Sequence, residues 1–96
     1  MSAPGLTYAE FICERARLDA IEREAGARMS ALGAGTGPMG LTPDAIRARP
    51  DYQAARGDQR RAMAALRALN GRYAVTYRRE EIAARDARRM ARLAAL

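Results

Sequence analysis

The second half of the chain has the composition of one long helix. From Asp51 to Leu96 there are 46 residues without a proline, most of them alanine, arginine and other strong helix formers. Residues 1–50 carry six arginines and six acidic residues, whereas residues 51–96 carry eleven arginines and five acidic residues, so the formal net charge of +6 lies entirely in this half. The pattern predicts a long basic helix over residues 51–96.

Few of the apolar residues are large enough to build a core. Of the 47 residues counted as hydrophobic, 23 are alanine, while leucine, isoleucine, valine and phenylalanine together number 14. Alanine favours helix but removes little surface from water, so the chain can form helices and still lack the apolar surface that secures them. We therefore expect an oligomer or a subunit docked on a larger assembly.

A first helix is predicted over residues 7–32. Thr7 and Glu10 have the spacing of a capping box, in which each side chain bonds to the backbone N–H of the other residue. Apolar residues then recur at steps of three, four and seven, which gives one stripe along a helix. Gly33 is suited to end it, because glycine readily adopts the left-handed conformation after a helix.

A connector separates the two long helices. Residues 33–42 are rich in glycine and predict a flexible segment. Residues 43–49 predict a short helix, since Thr42 can cap it and Pro43 suits its first position, while Pro50 favours a bend before the next helix. Asn70-Gly71 is the weakest point of the long helix, and the sequence allows a break there.

Together these elements predict a single all-α domain over residues 1–96. Its expected architecture is an antiparallel helical hairpin with a short connecting helix and a long C-terminal helix. The first helix is long enough to cover the second only to about residue 76, so residues 77–96 should project. The residues expected at the helix–helix interface are Phe11, Leu18, Ile21, Met29, Leu32, Met63, Leu66, Leu69, Tyr73 and Tyr77.

The projecting segment is basic and amphipathic. Its candidate contact residues for a partner or for nucleic acid are Arg78, Arg79, Arg85, Arg88, Arg89 and Arg92. Of these, Arg78, Arg85, Arg89 and Arg92 share one helix face. Three interpretations stay open: a phosphate-binding surface, a contact to an acidic protein surface, and a face that is simply solvated.

Two further groups of polar side chains have competing interpretations. Tyr52, Tyr73 and Tyr77 lie among arginines and could stack on bases, but their helical spacing is more typical of core or interface residues. Glu80 and Glu81 are adjacent, so they point in different directions from a helix. They are expected to pair with Arg85 and Arg88 rather than to act as a catalytic pair.

The residue types argue against an enzyme. The chain has no histidine and no lysine, and its one cysteine, Cys13, has no histidine to activate it, so we expect no catalytic or metal site. Residues 35–40 match G-x-G-x-x-G, but no strand precedes them, so we expect no nucleotide cofactor and no small-molecule substrate. No apolar run is long enough to span a membrane. With a single cysteine and no signal-peptide pattern in residues 1–5, we expect synthesis in the cytoplasm.

Three stretches resemble small helical proteins encoded among the structural and packaging genes of tailed phages and prophages of GC-rich bacteria. They are residues 40–47, residues 50–55 and residues 64–70, so the resemblance covers about residues 40–72. It implies a bacterial host and a setting in phage particle assembly or DNA packaging, with incorporation into a virion. No functional residue carries over from it.

Two main hypotheses follow, and a third is weaker. The first is a non-enzymatic structural or assembly subunit of a tailed phage or phage-like particle, of the head, connector or tail-adaptor type, whose partners are other protein subunits, including copies of itself. The second is a nucleic-acid-binding module, such as a small-terminase-like packaging factor or a regulator, with DNA as its partner. The third is a small inhibitor or regulator that masks a partner's site that normally binds basic groups.

Overall fold

A computed structural model of the protein describes residues 5–96, which form four α-helices and one short 3-10 turn without any strand. The helices are α1 (Tyr8–Ala31), α2 (Asp44–Arg47), α3 (Pro50–Tyr73) and α4 (Arg78–Ala94), and the turn spans Pro38–Gly40. The prediction of an all-α chain is confirmed. Residues 1–4, which belong to the predicted single domain and to the segment without a signal-peptide pattern, lie outside the described residues.

Helix α1 begins at the predicted capping box. The Thr7 hydroxyl accepts a hydrogen bond from the Glu10 N–H at 3.1 Å, and the Glu10 carboxylate accepts one from the Thr7 N–H at 2.9 Å. These bonds favour the charged carboxylate, so the hydrogen bonds from Thr7 lower the pKa of Glu10. The cap therefore fixes the start of α1 one residue after Thr7.

Helix α1 ends in a Schellman motif built around Gly33. The N–H of Ala34 donates to the Met29 carbonyl, and the N–H of Gly33 donates to the Ser30 carbonyl, each at 3.0 Å. Gly33 has a φ of 104°, and a Cβ atom there would lie 2.6 Å from Cδ1 of Ile46. Glycine is thus favoured by the backbone conformation, and any larger residue would also force the end of the Ile46 side chain to move.

The connector is more ordered than its composition predicts. Although residues 33–42 are glycine-rich, the Gly35 N–H donates to the Thr42 hydroxyl at 3.0 Å and the Gly37 N–H donates to the Leu41 carbonyl at 2.7 Å. Helix α2 falls within the predicted residues 43–49, and α3 begins at Pro50, one residue earlier than predicted. Proline suits this first helical position because no intrahelical partner exists there for an N–H.

The core lies between α1 and α3, which pack as an antiparallel hairpin. Its direction is fixed by cross-helix bonds at both ends: the Leu6 N–H donates to the Tyr73 hydroxyl at 2.8 Å, and Arg28 pairs with Asp58 at 2.7 Å. This confirms the predicted hairpin. The buried residues are Phe11, Leu18 and Ala25 on one side and Tyr52, Ala55, Ala62 and Tyr73 on the other.

The predicted interface residues occupy the core and its rim. Phe11, Leu18 and Tyr73 are buried, and half-buried positions are held by Ile21, Met29, Leu32, Leu66, Leu69 and Tyr77. Met63, in contrast, is 43% exposed, so its assignment to the interface is corrected. Ala62, which is 3% exposed, takes the position that faces α1, and Met63 projects about 100° further around the helix.

The long helix is interrupted at residues 74–77, not at Asn70-Gly71. Helix α3 continues through residues 70–71, and α4 starts only after Tyr77, whose φ of −112° and ψ of 23° depart from helical values. Neither proline nor glycine occurs in residues 74–77. The bend instead coincides with a tertiary contact, because the Tyr77 hydroxyl donates a hydrogen bond to the Leu6 carbonyl.

The bend gives the molecule a flat, angular shape. Its principal extents are 50 × 47 × 18 Å, so it is broad in two directions and about as thin as two packed helices in the third. As predicted, the segment after residue 76 extends beyond the part of α3 that α1 covers. It does so at an angle to α3 rather than as a straight extension.

Candidate interaction surfaces on the C-terminal helix

Helix α4 is the only one of the three long helices without a buried residue. Its largest apolar side chains are well exposed, with Met90 at 65% and Leu93 at 52%. Along one face, Ala83, Ala87, Met90 and Ala94 recur at steps of four, three and four residues, which is the spacing of a seam between packed helices. We call these four residues the apolar seam.

An aromatic cluster supports the joint between α3 and α4. The ring centroids of Phe11 and Tyr73 are 5.3 Å apart, as are those of Tyr8 and Tyr77, while Tyr73 and Tyr77 stack at 5.7 Å. Tyr73 accepts from the Leu6 N–H and Tyr77 donates to the Leu6 carbonyl, so both hydroxyls are used. The base of α4 is therefore held by packed rings and by two hydrogen bonds to one residue.

Glu81 supplies the polar attachment of α4 to the hairpin. Its carboxylate lies 3.0 Å from the Arg15 guanidinium and accepts a hydrogen bond from the Tyr8 hydroxyl at 3.3 Å. Burial raises the pKa of Tyr8, and the negative charge of Glu81 raises it further. The prediction that Glu80 and Glu81 pair with Arg85 and Arg88 is corrected, because the bend turns Glu81 toward α1.

The bend also creates an open notch between α4 and the end of the hairpin, with a volume of about 490 Å³. We call it the basic notch. It is lined by Phe11, Arg15, Asn70, Tyr73, Ala74, Arg78, Glu81, Ile82, Arg85 and Arg88. Four of these side chains are cationic and one is anionic, so the lining carries a formal charge of +3.

The six predicted arginines divide into three groups. Arg78, Arg85 and Arg88 line the basic notch, Arg89 and Arg92 are exposed on the adjoining surface, and Arg79 lies toward the opposite side of α4. Within residues 5–96, Arg85 pairs with its neighbour Asp86 at 3.5 Å and the other five form no ion pair. The notch thus collects half of the predicted set.

Sequence reasoning missed the contribution of α1 to this surface. The contact residues predicted from the sequence all lie in residues 77–96, yet Arg15 of α1 forms one wall of the notch and is the partner of Glu81. The two residues are 66 positions apart, so no local spacing could have indicated the pair. Tyr52 and Tyr73 are each 5% exposed, which supports the core interpretation of these tyrosines over base stacking.

No helix within residues 5–96 combines the length and the apolar composition required to cross a membrane. In the same range, histidine, cysteine, aspartate and glutamate side chains form no group of three or more that could hold a metal ion.

No family model matches the sequence, and no curated protein or solved structure shows significant similarity to it.

Proposed function

We propose that this chain is a non-enzymatic structural or assembly subunit that joins its neighbours through helix–helix contacts made by α4. The observation that carries the proposal is the contrast between the helices: α1 and α3 bury a shared core, whereas α4 buries no residue and exposes its apolar seam. Helices in proteins gain most of their stability from packing an amphipathic face. A seam of this kind is therefore expected to find a partner helix.

The composition of the seam favours close packing between repeated copies. Ala83, Ala87 and Ala94 have small side chains, which let two helices approach closely, and Met90 can adapt its shape to the partner surface. Homo-oligomers with closed symmetry are the commonest result of such self-complementary surfaces. We propose copies of this chain as the first partner, within a larger assembly.

A tailed phage or phage-like particle is the proposed setting, including incorporation into the virion. This part rests on the resemblance over residues 40–72, which covers the end of the connector, α2 and nearly all of α3. The resemblance does not include α4. The setting and the mode of contact therefore have separate support and can be tested separately.

The contact mode is tested by the double variant Ala87→Glu and Met90→Glu, which places two charges within the apolar seam. Two charges on the exposed apolar face should reduce the mass measured by light scattering to that of one 10.5 kDa chain, while circular dichroism still shows the folded hairpin. The matched control is the double variant Met39→Glu and Leu41→Glu, since these connector side chains are 96% and 66% exposed. A wild-type protein that stays monomeric at high concentration, or a control that dissociates equally, would refute the proposal.

A nucleic-acid-binding module, such as a small-terminase-like packaging factor or a regulator, is the second candidate. It is favoured by the row of exposed guanidinium groups at Arg85, Arg89 and Arg92, of which the last two have no ion pair within residues 5–96. The triple change of these residues to glutamate should abolish the retardation of DNA on a gel and leave the oligomer mass unchanged. Wild-type affinity should fall steeply as salt is raised.

The matched control for DNA binding reverses three exposed arginines outside α4: Arg23, Arg60 and Arg67. It changes the net charge by the same amount. If both triple variants lose DNA binding to the same extent, attraction to the overall positive charge explains the binding, and α4 is not a DNA-binding element.

A further inference from the structure

The basic notch combines an apolar surface with uncompensated positive charge. Ile82, which is 40% exposed, and the exposed Ala74 provide aliphatic surface inside it. Arg78, Arg85 and Arg88 stand along the α4 wall at steps of seven and three residues, so their guanidinium groups point to the same side. The notch therefore presents aliphatic surface and positive charge side by side.

The positive charge of the notch has no counterpart within it. Glu81 is its one acidic lining residue, and its carboxylate is already engaged by Arg15 and by the Tyr8 hydroxyl. Arg78 and Arg88 form no ion pair within residues 5–96, and Arg85 reaches only the adjacent Asp86. Because guanidinium groups bind carboxylates through two parallel hydrogen bonds, an approaching acidic group could pair with Arg78 or Arg88 directly and with Arg85 in competition with Asp86.

The accessible apolar surface of the notch is aliphatic, which favours a protein ligand over a nucleic acid. Single-stranded nucleic acid gains affinity by stacking bases on exposed aromatic rings. The aromatic residues of the notch are Phe11 and Tyr73, which are only 2% and 5% exposed and pack against each other. The accessible apolar groups are aliphatic, and they match the leucine or isoleucine side chains that amphipathic helices insert into grooves.

We propose that the basic notch is a docking groove for an acidic amphipathic helix of a partner protein. In this arrangement, aliphatic side chains of the partner cover Ile82 and Ala74, and its carboxylates pair with Arg78, Arg85 and Arg88. A volume of about 490 Å³ holds a few side chains, which suits one or two turns of the partner. The notch and the apolar seam lie on opposite sides of α4, so this docking goes beyond the proposed assembly contact and does not require it.

The proposal is tested with a synthetic helical peptide that carries leucines along one face and glutamates beside them. Its affinity is measured by isothermal titration calorimetry at physiological salt, against the wild type and the triple variant R78E/R85E/R88E. The triple variant should bind about tenfold more weakly or worse, because desolvated charge pairs are replaced by repulsion. Ile82→Asn should weaken binding as well, since it removes aliphatic contact.

The site itself is read out by nuclear magnetic resonance. Asn70 is the sole asparagine of the chain and lines the notch, so its side-chain amide signals report occupancy of this surface alone. The matched control, with Arg23, Arg60 and Arg67 changed to glutamate, should keep the wild-type peptide affinity within about threefold. It should also keep the shift of the Asn70 signals on peptide addition.

Several results would overturn the assignment. Equal losses in the two triple variants would show that net charge alone attracts the peptide. Two control peptides test the ligand, one with glutamine in place of each glutamate and one with alanine in place of each leucine. If either peptide binds as tightly as the original, the notch does not recognise an acidic amphipathic helix. Stronger shifts of the Asn70 signals with a single-stranded oligonucleotide would assign the notch to nucleic acid. A change in the protein's own oligomeric mass in R78E/R85E/R88E would assign it to a second copy of the chain.

Discussion

The hairpin core contains buried alanines on both of its packed helices. Ala25 is fully buried, and Ala55 and Ala62 on the opposite helix are 1% and 3% exposed. Beside Ala25, a Cβ atom placed on Gly26 would lie 3.4 Å from the flexible Gln59 side chain, which is ordinary van der Waals contact. A large side chain at Ala25 would have to displace its neighbours, because this position is fully buried.

Ala25→Leu measures how much this alanine packing contributes to stability. Three added carbon atoms must displace α1 or α3, and overpacking of this kind costs about 1–3 kcal/mol of unfolding free energy. For a chain of this size, the melting temperature should fall by about 5–20 °C. Leucine forms helix almost as well as alanine, so a loss of helix propensity would explain only a few tenths of a kcal/mol.

The assay is urea unfolding followed by circular dichroism, with Ala20→Leu as the matched control. Ala20 lies on the same helix and is exposed, so its replacement should change the unfolding free energy by less than about 0.5 kcal/mol. Both variants are compared at several protein concentrations, which separates hairpin stability from association. If Ala25→Leu is as stable as Ala20→Leu, the alanine contact is not close-packed and the reasoning is wrong.

Three further predictions concern the polar contacts of the hairpin and the joint. Tyr73→Phe should lower the unfolding free energy by about 1–3 kcal/mol, because the Leu6 N–H loses its acceptor, and should speed hydrogen exchange of that amide. Hydrogen bonds and charge from Arg28 and Arg61 lower the pKa of Asp58 below its ordinary value of 3.8. The ionised Asp58 therefore stabilises the fold fully above pH 3.8, and this stabilisation is lost as the pH falls through the lowered pKa. Asp58→Asn should flatten this acid-side decline in melting temperature. Glu81→Gln removes the charge that pairs with Arg15 and should broaden the distribution of distances between α4 and α1 measured by electron spin resonance.

Each of these predictions has a control within the chain. Tyr52→Phe should have little effect, since Tyr52 is buried but its hydroxyl forms no hydrogen bond within residues 5–96. Asp19→Asn should leave the acid-side decline unchanged, because Asp19 forms no ion pair in that range. Spin labels at the native Cys13 and at Ala91→Cys report the angle of α4, with unlabelled protein added to suppress distances between molecules. A Glu81→Gln distribution as narrow as the parent's would show that Glu81 does not hold α4.

The elements that depend on neighbouring residues could be predicted from the sequence. The capping pair Thr7 and Glu10 and the terminating Gly33 fix the bounds of α1 through bonds that span at most five residues, and Pro50 fixes the start of α3. The hairpin followed from the connector between two amphipathic helices. In each case the physical cause lies within one or two helical turns of its effect.

The bend and the notch could not be predicted in this way. The residues between α3 and α4 are not strong helix breakers, and the weak helix formers Asn70 and Gly71 are accommodated within α3. The break instead coincides with bonds between residues about 70 positions apart, from Tyr77 to Leu6 and from Glu81 to Tyr8. Local propensity is outweighed there by contacts that exist only after the hairpin has closed.

The aromatic cluster has a consequence for the order of folding. It lies at the open end of the hairpin, where Leu6 meets Tyr73 across 67 positions, whereas the alanine contacts lie nearer the connector and require much shorter loops. Closing a longer loop costs more chain entropy, so the rings that bury the most surface should meet last, after the helices have zipped together from the connector. The aromatic contacts then form only when the hairpin is fully closed, which favours all-or-none unfolding over gradual fraying.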